Sequence, residues 1–250
     1  MALSLVQAFD SIGVSVTASI TVSGVTANNL LVLSGNTNGT FGFDSIPAGW
    51  TKLLENEILS SADPNNVTRA DALVIYKIAD GSEGTIELTQ ASSQRYALSV
   101  VEYSGVSTTS PLDDVNYEVS KLNWSGGSGS SGNITATASG LLLGFVFDGN
   151  EIPNIDTITS GFVEDVQSFE GGAETWNRPQ HKVYSDKSGF SGSKTLSFDI
   201  SGASLGGEGL VGIANFLEPS AGGSTAPTLS AVSAVNITAN SITPQVTINF

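Results

Sequence analysis

His181 is the one histidine of this 250-residue chain, and cysteine is absent. Nucleophilic chemistry that needs a base near neutral pH must therefore run through that single imidazole. No Gly-x-Ser-x-Gly turn offers it a serine, and the expectation is a loop histidine near the rim of a strand. Carboxylates are more numerous. Glu55, Glu57, Glu87, Glu102, Glu164 and Asp165 fall on strand-like runs. Glu55 and Glu57 alternate, which puts both on one face of a strand. Paired acids of that kind serve glycoside hydrolysis, although a solvated strand face is the commoner use. Asp80-Gly81-Ser82-Glu83 and Asp148-Gly149-Asn150-Glu151 carry oxygen ligands suited to calcium. Neither has the spacing of a calcium loop, and both read as tight turns. No cofactor is expected, calcium being the single cation with candidate ligands.

Aromatic residues mark contact surfaces when they are not core. Trp50 follows a Pro47-Ala48-Gly49 turn and Phe162 follows Gly161, an equivalence that predicts core packing for both. Trp176 differs. It sits with Arg178 in 171–180 (GGAETWNRPQ), beside His181. Trp176, Arg178 and His181 are thus the candidate ligand or partner contacts.

Strands must position all of these groups. Short alternating runs rich in Val, Ile, Thr, Leu and Tyr are bounded by Gly, Asn, Asp and Ser, and helical periodicity is nearly absent. Val16, Ala18, Ile20 and Val22 share one face of a run, whereas 30–33 is continuously apolar, as a strand covered on both faces requires. The runs also repeat. Ile20–Val32 returns as Ile134–Leu143, 49–55 as 161–166, Ala72–Ile78 as Lys182–Ser185, Gly84–Leu88 as Lys194–Phe198, and Ala97–Tyr103 as Gly209–Asn215. The spacings are 114, 112, 108, 110 and 112 residues, so order and distance are both kept. The sequence predicts an all-β antiparallel sandwich of about twelve strands built from two similar halves, 1–109 and 110–219, joined near the Gly/Ser-rich 123–132. A hinge follows at 220–227. Beyond it, 228–250 holds two strand-like runs, with Leu229, Val232, Val235 and Ile237 in one and Ile242, Val246, Ile248 and Phe250 in the other. Twenty-odd residues are too few for a core of their own. This segment is expected to pair with a partner or to open a further Ig-like domain.

Twenty-four acidic residues against nine basic ones give a formal charge of −15. That balance excludes a phosphate-binding surface of the kind nucleic acids need, and it suits solubility at high copy number. No apolar run is long enough to insert in a membrane. The N-terminus, MALSLVQAFD, lacks the basic and apolar regions of a signal peptide, so synthesis in a cytoplasm without export is expected.

The succession NLLVL, PAGWTKL, ALVIYKIADGSEGTIELT and ALSVVEYSGV, continued through Gly140–Gly149 and Glu208–Pro219, resembles the jelly-roll (concanavalin-like) sandwiches of bacteriophage virion proteins and some bacterial surface proteins. The resemblance covers about residues 1–219. It runs on through both halves, which favours one sandwich over two small ones in series. It implies a non-enzymatic structural protein on the virion surface, of the capsid-decoration, head-fibre or tail-fibre type. Other virion proteins would then be its partners, in a homo-oligomer with a trimer favoured. A host-surface glycan is the ligand of the alternative, an adhesin, and a β-sandwich glycoside hydrolase is the further alternative.

Overall fold

The computed structural model describes residues 2–38, 42–60, 68–122, 128–148, 155–169, 179–200 and 207–220. Met1–Pro219 form one compact unit and Ser220–Phe250 a second. The candidate segment from Leu229 to Phe250 lies outside the described residues, as do Trp176 and Arg178.

The first unit is all-β, with two antiparallel six-stranded sheets. Half A supplies β1 (Ser4–Thr21), β2 (Leu30–Asn38), β3 (Phe43–Ser45), β4 (Thr51–Ser60), β5 (Thr68–Ile78) and β6 (Thr85–Ser104). Half B supplies β7 (Leu112–Leu122), β8 (Ser128–Asp148), β9 (Ile155–Ile158), β10 (Val163–Phe169), β11 (Gln180–Ile200) and β12 (Gly207–Leu217). The sheet orders are β1-β6-β2-β5-β4 and β7-β12-β8-β11-β10, read from the same edge. Along these two paths each strand of half B takes the place of the strand six earlier.

The long strands do double duty. In half A the far end of β1 pairs with the near end of β6, Ile20 opposite Ile86, and β3 adds to β6 at Gln90. In half B the near end of β8 pairs with the far end of β11, Ile134 opposite Lys194, and β9 adds to β11 at Phe198. Counting each bent strand as two segments gives eight per half. Segments 1-8-3-6-5 make the broad layer and 2-7-4 the narrow one. The sandwich of about twelve strands expected from the sequence forms, but without interleaving: each half supplies one sheet, and no described strand of one pairs in the sheet of the other.

Three cores follow. Ile20, Leu31, Leu33, Leu73, Leu88 and Val100 fill the roll of half A, with Trp50 packed against them. Ile134, Leu142, Phe162, Leu196, Phe198 and Ile213 fill that of half B. Between the broad layers lies the third core, drawn from both halves, including Leu30, Val32, Leu54, Tyr103, Leu141, Phe145, Phe147 and Phe216. Central strands β2 and β8 are buried on both faces, which explains their continuous apolar runs. The Trp50–Phe162 equivalence is core packing, as expected. Each ring follows a glycine at positive φ, Gly49 at 82° and Gly161 at 97°, and at Gly161 a Cβ would run into Asp186 Oδ2.

The repeat is closer than the sequence alignment makes it, after two corrections. Ladder partners and core faces match Val74 with Val183 and Val100 with Ile213. The sequence spacings would have set Val74 against Lys182 and Val100 against Gly212, one residue short. A slip of one moves every side chain to the opposite face; the corrected register keeps inner residues inner. Both halves also carry a β-bulge at the same place, between Lys52 and Leu54 on β4 and between Glu164 and Val166 on β10.

Candidate functional surfaces

His181 is not a rim histidine. It lies on β11, fully buried, in the core between the halves. Its position follows from the register: His181 pairs with Phe147 on β8 and Ser168 on β10, and its ring faces the other sheet. There it meets Ser99 Oγ through Nε2 at 2.7 Å and Asn36 Oδ1 through Nδ1 at 3.0 Å. Ser99 Oγ in turn lies 2.7 Å from Ser34 Oγ. Asn36 Nδ2 donates to the Gln180 carbonyl at 3.0 Å, which fixes the amide orientation. Oδ1 must then accept, so Nδ1 carries the proton and Nε2 accepts from Ser99. Phe147 lies against the ring at 5.4 Å between centroids.

This is the hydrogen-bond order of a nucleophile, a base and an orienting amide. Ser34, Asn36, Ser99 and His181 are nevertheless all sealed from solvent, so no substrate reaches Ser99 Oγ. Burial pulls the imidazole down to about 3, which keeps it neutral at physiological pH. What the arrangement does is tie the halves: Ser34, Asn36 and Ser99 come from half A, His181 and Gln180 from half B.

A second tie lies on the same inner face. Tyr103 Oη donates to Asp165 Oδ2 at 2.6 Å, and Lys187 Nζ donates to Asp165 Oδ1 at 2.9 Å and also reaches Ser185 Oγ. Asp165 is the bulged residue of β10, and the bulge aims its carboxylate across the interface, as such irregularities do. Burial, with the Asp165 carboxylate beside it, pushes the Tyr103 phenol well above its ordinary value.

The remaining acids are accounted for singly. Glu55 is exposed and pairs with Lys52 on its own strand; the side chain of Glu57 lies outside the described residues. Glu87 is exposed on the narrow layer. Glu164 pairs with Lys182 at 2.9 Å. Glu102 is buried and accepts from Gln7 Nε2 and Asn29 Nδ2, both at 2.5 Å, and from Thr26 N at 2.9 Å, which pins the 22–29 loop to the sheet. In the Asp80–Glu83 turn, Asp80 Oδ1 accepts from Ser82 N and Oγ, and Glu83 accepts from Asp80 N, Gly81 N and Lys77 Nζ. The loop's own donors and a lysine thus occupy the oxygens that calcium would need. The Asp148–Glu151 loop lies outside the described residues beyond Asp148. Among the described residues no cluster of three or more acids or histidines gathers. A shallow polar hollow of about 170 Å³ opens between β9 and β11, lined by Thr157, Thr159, Ser197 and Asp199.

The surface that sequence reasoning only touched on is β1. It lies at the sheet edge, with β6 its one strand neighbour among the described residues. Val6, Ile12, Val14 and Val16 are 43–59% exposed and alternate along it. The alternation at 11–16 (SIGVSV) was the available signal.

No protein family, curated protein or solved structure was found to match the chain.

Proposed function

We propose that this chain is a non-enzymatic structural protein of a bacteriophage particle, displayed on the virion surface and held there by protein–protein contacts. The observation that carries the reading is how the polar groups are spent. The one histidine and the acids Glu102 and Asp165 are buried and hydrogen-bonded within the scaffold, while β1 offers an apolar edge. Such a division suits a rigid module that is recognised by its surface. The two-sheet β-sandwich and the resemblance over 1–219 support the same reading. The segment 228–250 is the second candidate for attachment, and a capsid or tail protein is the partner of either.

The test is the particle. Gradient-purified virions from cells expressing the chain should contain it in fixed ratio to the major capsid protein, and antibody to the chain should label their surface. Deleting 227–250 should release it while its circular dichroism stays β-rich. Absence from the particle band overturns the reading. Polysaccharide hydrolysis that disappears with Glu55→Gln and Glu57→Gln would establish the glycosidase instead. Glycan binding abolished by Trp176→Ala, in protein that still joins the particle, would establish the adhesin.

A further inference from the structure

We propose that one end of the core of half A is an internal hydration site, where Thr37, Gln90 and Gln94 hold one or two buried waters. The inference stands apart from the virion reading, since it concerns the interior of one half.

Rows of side chains line that core, and several end in a polar residue. On β2, Leu31 and Leu33 are followed at alternate positions by Gly35 and Thr37. On β5, Asp71 precedes Leu73 and Ile75 on the same face. On β6, Ile86 and Leu88 lead to Gln90, and Gln94 leads to Tyr96, Leu98 and Val100. The ladders bring these ends together. Thr37 pairs with Asp71 on one side and with Tyr96 on the other. Gln90 pairs with Phe43, whose ring would touch a Cβ at Gly35 at 3.4 Å, two residues before Thr37. Thr37 is 0% exposed, Gln90 5%, Asp71 and Gln94 7%.

Buried polar atoms in native interiors nearly always have a hydrogen-bond partner, because an unmet one costs its full desolvation. Among the described residues five buried side-chain polar atoms have no partner on the chain. Four lie here: Thr37 Oγ1, Gln90 Nε2 and Oε1, and Gln94 Oε1; the fifth, Asn215 Oδ1, is on β12. Gln94 Nε2 donates to Ser92 Oγ at 3.2 Å, which leaves the amide oxygen to accept. The repeat supplies an internal control. At the place of Gln90, half B has Phe198, which pairs with Ile158 as Gln90 pairs with Phe43 and packs in the apolar core.

The chemistry of these atoms selects the occupant. Gln90 Nε2 donates, the two amide oxygens accept, and the Thr37 hydroxyl does either. The occupant must therefore donate and accept at once. An anion only accepts, and the Asp71 carboxylate on the same face disfavours it. A bare cation suits the oxygens but opposes the Nε2 hydrogens. An organic molecule needs an opening, which side chains exposed by 7% at most do not leave. Water meets every condition. A buried water makes about three hydrogen bonds, so one or two satisfy the four atoms.

The test is a crystal structure of the full chain at a resolution that shows ordered solvent, with thermal melts of Gln90→Met and Thr37→Val. Both substitutions keep the size of the side chain and remove its polar atoms. The expected result is water density within hydrogen-bond distance of Gln90 Nε2 and of Gln94 Oε1 or Thr37 Oγ1, with none beside Phe198. Both variants should then melt below the parent, because each takes a bond from a water that stays buried. A rise in Tm for both overturns the proposal, since removing atoms that truly lack partners relieves their desolvation. So does a dry interior in which these atoms turn to partners on the chain, a cation identified there by its anomalous signal, or density larger than water. If the variants do not fold, the density in the parent decides. None of these results alters whether the chain is found on a particle.

Discussion

The two halves share one fold and one inner surface, yet they line it with different chemistry. Where half A has Ser34, Asn36 and Ser99, half B has Phe145, Phe147 and Gly212 at the equivalent ladder positions. Where half B has His181, half A has Ala72. The bulged residue is Asp165 in one and Leu53 in the other, and Tyr103 corresponds to Phe216. One end of the interface is therefore a hydrogen-bonded network, and its two-fold equivalent is apolar, with Tyr76 edge-on to Phe216 at 5.2 Å. Divergence of this kind makes A-on-B the pairing in which Ser34, Asn36, Ser99 and His181 are all hydrogen-bonded. Laying half A on half A of another copy would bury Ser34, Asn36 and Ser99 without an imidazole, and unpaired buried polar groups cost about 1–3 kcal/mol each. The network thus provides specificity by penalising the wrong partner.

The largest expected effect is on acid stability. His181 is neutral in the fold down to about pH 3 but takes up a proton near 6.5 when unfolded. Its folded value is depressed, so the unfolded state binds more protons as pH falls. Stability from this group is complete above 6.5 and is lost progressively between 6.5 and 3, by about 5 kcal/mol in all. Among the described residues no carboxylate hydrogen-bonds the ring; its polar neighbours across the interface are Asn36 and Ser99, with Ser34 behind Ser99. Urea unfolding between pH 6.5 and 5, above most carboxylate titration, should show the slope. His181→Gln should flatten it, and an equal slope in that variant would remove the network from the account.

Next comes the bulge. Asp165→Leu copies half A's residue into half B and strands the Tyr103 hydroxyl and the Lys187 ammonium. Breaking a buried pair from one side costs about 3 kcal/mol. Completing the copy with Tyr103→Phe and Lys187→Ile, the residue types of Phe216 and Ile78, should recover most of it, because an apolar set of similar volume replaces a buried ion pair at little cost. Thermal melts of the single and triple variants decide this. A triple variant as unstable as the single one would mean that the two ends are not equivalent. Gly212→Ser is the milder swap, copying Ser99 into half B. Its Cβ would lie 2.9 Å from Leu54 Cδ2 across the interface. Overpacking of this size costs about 1–3 kcal/mol, and Leu54→Val, the residue type at the equivalent Val166, should relieve it.

Much of the scaffold was legible because strand periodicity is local. The alternation at 18–22, the apolar run at 30–33 and the Trp50–Phe162 match each follow from one segment's own burial. Val16, expected on the face of Ala18, Ile20 and Val22, is instead turned to solvent by the bulge between Ser15 and Thr17. Segregation of the halves was not legible, because both arrangements demand the same alternation and only pairing distinguishes them. The one-residue slips have a related cause. Leu98–Val101 and Leu210–Ile213 are apolar on both faces, so hydrophobicity alone does not say which residue points inward. His181 was misplaced for a different reason. A buried neutral imidazole needs partners from β6 and β2, 82 and 145 residues away in the chain, and nothing within its own segment announces them.

The smallest effects fall on the outer acids, and they sharpen the comparison because the same strand position has changed charge. Lys52 on β4 corresponds to Glu164 on β10. In half A, Lys52 pairs along its strand with Glu55, and both are substantially open to water. In half B, Glu164 pairs across strands with Lys182, whose side chain is mostly covered. Burial, together with the Glu164 carboxylate beside it, raises the Tyr184 phenol, so that phenol stays protonated and able to donate to the acid. Exposed pairs contribute about 0–1 kcal/mol, and the better-sheltered one should lie at the upper end. Glu55→Gln should therefore leave the melting midpoint almost unmoved, with Glu164→Gln lowering it slightly more. A loss above about 2 kcal/mol for Glu55→Gln would be foreign to an exposed pair. It would mean that Glu55 is held by contacts beyond Lys52, and the alternating acids Glu55 and Glu57 would then have to be reconsidered as a working pair.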